Sequence, residues 1–240
     1  MTRLTDEEKE RYGAHIALCE IDLPGQRMLM EAKVLAVGAG ALASTALLYL
    51  AAAGVGTIGI CDGDIVSLSN LQRQIIHSTS TLGEGKTTSA AKSIERLNPY
   101  INVRQHQVML SEENAEEICK EYDLILDCTD NYKSRLLVSD IAVKLHKPVC
   151  IAAVSRFNAM AMTHVDGSAT YRTVFPNPPE EKDDCSCAAN GVLNAVAGMA
   201  GCIQAAEAIK LITGTGELLV NRMLLIDSLT FEIKIIKIKP

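Results

Sequence analysis

The sequence predicts an α/β fold: a Rossmann-like, mostly parallel sheet flanked by helices, with a C-terminal antiparallel strand extension. Three observations carry this expectation. Val34-Leu35-Ala36-Val37 is a short apolar run of the kind that forms a strand buried on both faces. Gly38-Ala39-Gly40-Ala41-Leu42-Ala43 follows, opening an alanine- and leucine-rich segment that stops at Gly54 and reads as a helix. A second apolar run, Thr57 to Cys61, then ends on an acid, Asp62. Strand, glycine turn, helix, strand and acid form a βαβ unit suited to a nucleotide. The glycines let backbone N–H groups approach phosphate, the helix N-terminus favours its charge, and the acid accepts hydrogen bonds from a ribose.

The remaining elements follow in order. Thr5-x-x-Glu8 is a capping box, predicting a first helix that runs through Ile16. A short helix around Gln26–Glu31 leads into the βαβ unit. Gly85-Lys86 opens the next helix, which Asn98-Pro99 ends. Val103–Val108 reads as an edge strand, and Ser111 as the cap of an acidic helix reaching Cys119. Asp123 to Asp127 is another buried strand, ending in the polar cluster Cys128-Thr129-Asp130-Asn131. A helix from Asn131 to His146 returns the chain to a strand, Pro148–Ala153. Ala159–His164 alternates less regularly. Thr170–Cys187, with three prolines and the acidic run Glu180 to Asp184, reads as a long loop, which in a compact domain is usually functional. A long helix, Val192–Ile212, closes at Gly214, and Leu219–Ile226 and Thr230–Ile238 read as two antiparallel strands.

The 240 residues suit a single domain, 1–240. Residues 30–154 form its nucleotide-binding part, and 155–240 its crossover loop, helix and C-terminal strands. With 48% hydrophobic and 22% charged residues, the chain can bury a sizeable core. A net charge of −6 leaves no electrostatic footprint for nucleic acid, and no polybasic run points to a membrane surface. The polar, acidic start does not read as a signal peptide, and the apolar stretches look too interrupted to span a bilayer. Cys61, Cys128, Cys150 and Cys202 sit in apolar surroundings, where a reduced thiol behaves as a small hydrophobe. That usage predicts a cytoplasmic protein.

After Asp62 the chain departs from a dehydrogenase pattern. Gly63-Asp64 and Val66-Ser67-Leu68-Ser69-Asn70-Leu71-Gln72-Arg73-Gln74 leave the carboxyl end of a strand, so they belong beside the nucleotide. Taken together, Gly38-x-Gly40, Asp62-Gly63-Asp64, Asn70 to Gln74, Lys86 and Cys128 to Asn131 resemble the ubiquitin-activating type of adenylyltransferase, in particular the ThiF/MoeB/HesA group. The resemblance runs from Leu4 to the last strand. It implies ATP-dependent activation of a protein's C-terminal carboxylate, with release of pyrophosphate, as in thiamine or molybdopterin biosynthesis. The acceptor it implies is a ubiquitin-like sulfur carrier ending in Gly-Gly, and the assembly it implies is a homodimer. The Ala/Gly-rich segment near Gly198–Gly201 permits close helix packing and fits such a dimer.

Adenylation brings a carboxylate against an α-phosphate that is already negative. Arg73 and Lys86 are suited to neutralise the triphosphate, arginine bidentately. Asp130 at a strand end is a natural Mg²⁺ ligand, since that ion takes one or two carboxylates plus phosphate oxygens and water. Asp62 is expected on the ribose. Gly38, Gly40, Ala41, Asp64, Asn70, Gln74 and Asn131 complete the expected nucleotide contacts. A general base is not required, because a terminal carboxylate is already ionised at neutral pH. Each residue also has a plain reading. Arg73 fits a surface cation, Lys86 a residue near a helix start, and Asp130 an N-cap. A cation at a helix N-terminus is mildly unfavourable and hints at an anion beside it.

Cys187, in Cys187-Ala188-Ala189-Asn190-Gly191, occupies a position where some members of the group carry a cysteine used in acyl or persulfide chemistry. Asp183 and Asp184 would raise its pKa and blunt it, so catalytic and incidental readings both stand, as does a Cys185–Cys187 redox pair. Three departures from the group are visible. Its two Cys-x-x-Cys zinc pairs are lacking, Thr170 and Thr173 standing where the first would align, so zinc is not expected. An early Arg-Tyr-x-Arg-Gln, whose second arginine reaches a partner's nucleotide, reads here Arg11-Tyr12-Gly13-Ala14-His15. Ala41 replaces a glycine, and its methyl narrows the approach to phosphate. These departures keep two alternatives open: adenylation of a peptide or small-molecule carboxylate, and a non-catalytic module that binds nucleotide or a ubiquitin-like protein. An NAD(H)-dependent oxidoreductase explains the glycine turn and Asp62 but gives Arg73, Lys86 and Asp130 no task.

Overall fold

The computed structural model describes residues 4–177 and 191–239. Eight strands form one sheet: β1 (Lys33–Val37), β2 (Thr57–Cys61), β3 (Asn102–His106), β4 (Leu124–Asp127), β5 (Val149–Ser155), β6 (Asn158–His164), β7 (Arg222–Asp227) and β8 (Glu232–Lys237). Their order is β3-β2-β1-β4-β5-β6-β7-β8. The strands from β3 to β5 pair in parallel and those from β5 to β8 antiparallel. The chain therefore moves outward from β1 in one direction through β2 and β3, then resumes on the other side at β4. That reversal opens a crevice at the carboxyl ends of β1 and β4, where open α/β sheets bind ligands.

The uninterrupted apolar character of β1 follows from its central place. Val34 and Ala36 pack into one hydrophobic layer, Leu35 and Val37 into the other, and all four are buried. The first layer is closed by α4 (Ala41–Ala53), α5 (Lys86–Leu97) and α9 (Asn194–Thr213), the second by α6 (Ala115–Cys119) and α7 (Tyr132–Lys144). Helices α4 and α9 both end on a left-handed glycine, Gly54 and Gly214, as their sequences predict. They pack against each other closely enough that a Cβ at Gly201 would collide with the Leu42 carbonyl and the Thr45 hydroxyl. Thr45 Oγ1 also donates to the Gly198 carbonyl at 3.0 Å. The small residues of α9 thus serve packing within the chain, which removes them as a ground for a dimer. By length and composition α9 is apolar enough to cross a bilayer, contrary to the sequence expectation, but it packs against α4, β5 and β6.

Several boundaries differ from expectation for identifiable reasons. The capping box at Thr5 and Glu8 forms, but the first helix stops at α1 (Asp6–Arg11) and resumes as α2 (Gly13–Ile16). Tyr12 breaks it: its ring fills the space left by the missing side chain of Gly54, and its hydroxyl accepts from Asn98 Nδ2 at 2.9 Å. Helix α3 (Asp22–Glu31) begins earlier than predicted, with Pro24 in its first turn, where a missing N–H costs nothing. Asn114, not Ser111, stands at the N-cap position of α6, because residues 112–114 form a separate turn, and its side chain accepts from Ser111 N at 2.9 Å without capping the helix. Asn131, not Asp130, caps α7, accepting from Ser134 N at 2.9 Å. Within the expected long loop, Thr170 and Thr173 cap each other around a one-turn helix, α8 (Tyr171–Val174).

His77 braces the glycine turn from below. It is buried, with Nε2 2.9 Å from the Ala39 carbonyl and Nδ1 2.9 Å from the Ser89 hydroxyl. Burial holds its pKa below the ordinary histidine value, and burial does the same for His106 and His164. A histidine kept neutral in the fold binds fewer protons there than in the unfolded chain. Its stabilisation is therefore complete above the unfolded value, ~6.5, and is lost as pH falls toward the depressed native value. The unfolding midpoint is expected to be level above pH ~7 and to fall below pH ~6.5. A His77→Gln variant is expected to remove up to ~1.4 kcal/mol per pH unit of that slope, measured by denaturant unfolding at a series of pH values.

Candidate active site

A cleft opens at the crevice between β1 and β4. Its floor is built from two interlocked turns. Gly38 adopts a φ of +94°, and a Cβ there would lie 2.8 Å from the Cys128 carbonyl, so only glycine lets the two strand exits touch. Asp62, at the end of β2, is almost fully buried. One carboxylate oxygen accepts from Ala39 N and the other from Asp64 N, both at 2.8 Å. The acid expected on a ribose is thus first the clamp that shapes the glycine turn.

The cleft brings together most of the predicted residues: Gly38, Gly40, Ala41, Asp62, Asp64, Arg73, Gln74, Lys86, Asp130 and Asn131 all line it. Lys86 enters at the first position of α5 with only 7% of its surface exposed. Its Nζ lies 2.7 Å from Asp64 Oδ2 and 4.0 Å from Asp62 Oδ2. The anion that its position at a helix start requires is therefore supplied, in this state, by the chain itself. Arg73 is half-buried and lines the cleft, and its guanidinium Nη1 donates to the Ser69 carbonyl at 3.3 Å, which ties the head to its own turn. Gln74 is buried, and its Oε1 has no hydrogen-bond partner among the described residues. Ala41 borders the cleft at the first turn of α4. Asp130 is exposed at the rim.

Two predicted residues stand elsewhere. Asn70 does not line the cleft. Its side chain accepts from Ser67 N at 3.1 Å and closes the short turn that carries Arg73. Cys187, with Cys185, lies outside the described residues. The two cysteines that line the cleft are not poised nucleophiles: burial pushes the Cys61 thiol up to about 12 and the Cys128 thiol well above its usual value.

Sequence reasoning missed the apolar walls. Met109 and Leu110, from the turn after β3, and Leu137 on α7 line one side, and Val154 and Val192 another. Met109 packs on Gly63, where a Cβ would come within 2.9 Å of it. Nothing in the irregular stretch around Met109 signals this. Arg135 was also missed, although it stands one helical turn after Asn131 and so on the same face of α7. Its Nη2 donates to the Thr129 carbonyl at 3.0 Å.

The model of the ThiF family matches residues 12–240. The probable adenylyltransferase/sulfurtransferase MoeZ of Mycobacterium tuberculosis is 44% identical over 241 residues, covering 98% of this chain and 62% of that protein. The adenylyltransferase and sulfurtransferase MOCS3-2 of Zea mays is 45% identical over 230 residues, covering 95% of this chain and 48% of that one. The chain thus spans about half to three-fifths of the length of these curated relatives. Among solved structures, PaaA superposes with a TM-score of 0.84 at 24% identity, covering all of this chain and 76% of PaaA. Escherichia coli MccB solved with ATP superposes with a TM-score of 0.80 at 22% identity, covering 90% of this chain and 67% of MccB. These likenesses share the fold. On the match of its family model over nearly its whole length, the chain belongs to the ThiF family.

Proposed function

We propose that this protein is an ATP-dependent adenylyltransferase that activates the C-terminal carboxylate of a ubiquitin-like sulfur carrier ending in Gly-Gly. The observation that carries the reading is the convergence of Arg73, Lys86 and Asp130 on one cleft above the glycine turn. Those three groups come from separate segments, and an oxidoreductase would have no use for them. The naming of the relatives as adenylyltransferases and sulfurtransferases supports the same reading.

In this reaction a carboxylate oxygen forms a bond to the α-phosphorus, the bond to the bridging oxygen breaks, and its electron pair leaves with pyrophosphate. The protein supplies position and charge. The turn from Gly38 to Gly40 and the start of α4 receive phosphate on backbone N–H groups. The apolar side formed by Met109, Leu110 and Leu137 suits the flat adenine ring. Arg73 and Lys86 offset the repulsion between the incoming carboxylate and the phosphates and hold the charge that grows on the leaving group. For Lys86 this means trading or sharing its Asp64 partner with phosphate. Asp130, an oxygen donor at the rim, fits a single carboxylate ligand of Mg²⁺, which when bound would offset triphosphate charge.

Phe231, Ile233 and Ile235, alternate residues on and beside β8, are exposed. The reading supplies two candidates to cover such apolar side chains, a second copy of this chain and the carrier. Cytoplasmic placement agrees with the free state of all six described cysteines.

Arg73→Ala and Lys86→Ala are each expected to lower carrier-dependent ATP–pyrophosphate exchange at least ~100-fold. The unfolding midpoint should hold in Arg73→Ala and fall in Lys86→Ala, which takes from the buried Asp62 the cation beside it. Exchange retained in either variant would defeat the assignment of those residues. Losing Lys86 also leaves Asp64 as an unpaired anion facing the phosphates. Lys86→Ala/Asp64→Asn is therefore expected to bind ATP several-fold more tightly than Lys86→Ala alone, as read by calorimetry. Light scattering at micromolar concentration is expected to give twice the 25.8 kDa chain mass, and a monomer would remove the dimer.

A further inference from the structure

The turn that ends in Asp130 is held by more groups than a surface turn needs. Asp127, the last residue of β4, is fully buried, and burial pushes its carboxyl pKa up while the neighbouring Arg135 guanidinium pulls it down. Asp127 Oδ1 accepts from Thr129 N at 3.1 Å and from Thr129 Oγ1 at 2.7 Å. Arg135, itself only 8% exposed, takes the remaining polar atom of Thr129 by donating to its carbonyl at 3.0 Å. All three polar atoms of Thr129 are thereby fixed. On the far side, Asn131 is fixed by capping α7. Asp130 stands between two residues that cannot turn. Arg135 in turn hydrogen-bonds Tyr171, whose ring packs against Tyr132 and Phe175.

Asp127 and Arg135 are both buried and meet through Thr129, and burying two ionisable groups is a poor device for stability alone, because apolar side chains of the same volume hold a wall equally well. A pair that freezes the residue next to a proposed ligand acid does something an apolar pair cannot. We infer that Arg135 is a positioning residue, which with Asp127 locks Thr129 so that the Asp130 carboxylate points into the cleft toward the cation of a metal–nucleotide complex. This rests on the adenylation reading, since it gives that reading's Asp130 its support. It does not require Arg135 to touch the nucleotide. Supporting residues of this kind commonly change metal affinity 10- to 100-fold when lost.

The test is calorimetric titration of ATP into the full chain, with Mg²⁺ and again with excess EDTA. It covers wild type, Arg135→Met, Arg135→Lys, Asp130→Asn and Asp130→Asn/Arg135→Met. Arg135→Met is expected to weaken MgATP binding ~10-fold or more while changing metal-free ATP binding less than ~2-fold. Arg135→Lys should recover part of the loss. In the Asp130→Asn background Arg135→Met should cost nothing further, because the two act in series. Where Arg135→Met fails to fold, Tyr171→Phe removes one partner of Arg135 and should give a smaller loss of the same metal-dependent kind. Equal weakening with and without Mg²⁺ would make Arg135 a direct phosphate contact or a general support of the fold, and additive losses would mean it does not act through Asp130. Either outcome overturns the inference. If wild type binds ATP in EDTA but gains nothing from Mg²⁺, the metal part of the adenylation reading fails and the inference falls with it. A wild type that binds no ATP at all fails the reading itself.

Discussion

The carboxylate of Asp62 is the contact on which the site depends. It ends β2, yet its two oxygens accept backbone N–H groups from the turn after β1 and from its own exit turn. A charge this deeply buried is tolerated because charge-assisted hydrogen bonds replace its water, and because Lys86 Nζ lies 4.0 Å away. The shape of the glycine turn, the course of the chain from Gly63 to Asp64 and the depth of Lys86 are therefore one coupled arrangement. His77 closes it from the other side by engaging the Ala39 carbonyl. Ala39 is thus held at both its N–H and its C=O, so the turn meets a phosphate already in its final shape.

The sheet supplies the second constraint. The reversal of strand order places the exits of β1 and β4 side by side, and both exits are polar turns with little room between them. Arg73 and Lys86 arrive from the β2 side, and Asp130, Asn131 and Arg135 from the β4 side. Each wall carries both signs, Lys86 and Asp64 at 2.7 Å on one and Arg135 and Asp130 on the other. A polyanion with a bound cation would find a guanidinium or ammonium and a carboxylate on either side.

What could be read in advance and what could not divide along the range of the interaction involved. Buried parallel strands announce themselves because both faces must be apolar, and β1, β2 and β4 were legible for that reason. Gly54, Gly214 and Asn98-Pro99 marked helix ends through local backbone chemistry. Arg73, Lys86 and Asp130 were legible as a set, since their residue types and order carry the family pattern. The break at Tyr12 was not, because it depends on a gap at Gly54 and an amide at Asn98, far away in sequence. The local task of Asn70 was not legible for a related reason: an amide three residues after Ser67 serves a local turn as readily as a ligand. The same blindness to long-range pairing hid the partner of Lys86 and the place of Met109.

Gly38 shows why the two walls cannot be adjusted separately. Its left-handed φ and its closeness to the Cys128 carbonyl mean that any side chain there would push the β1 turn away from the β4 turn. Behind the contact lies Gln204 of α9, whose Nε2 donates to the carbonyls of Asp127 at 2.7 Å and Cys150 at 3.0 Å. The β4 exit is therefore pinned from the core by α9, from the cleft by Gly38 and from α7 by Arg135. Helix α9 can reach Gln204 into that place only because Gly201 lets it lie directly on α4. A chain of close backbone approaches, each needing the absence of a side chain, thus runs from the α4–α9 contact to the rim acid. This accounts for small residues in the middle of a helix whose composition alone suggests a membrane span or a subunit interface. They bring a core helix near enough to the sheet to hold the site's two halves at a fixed separation.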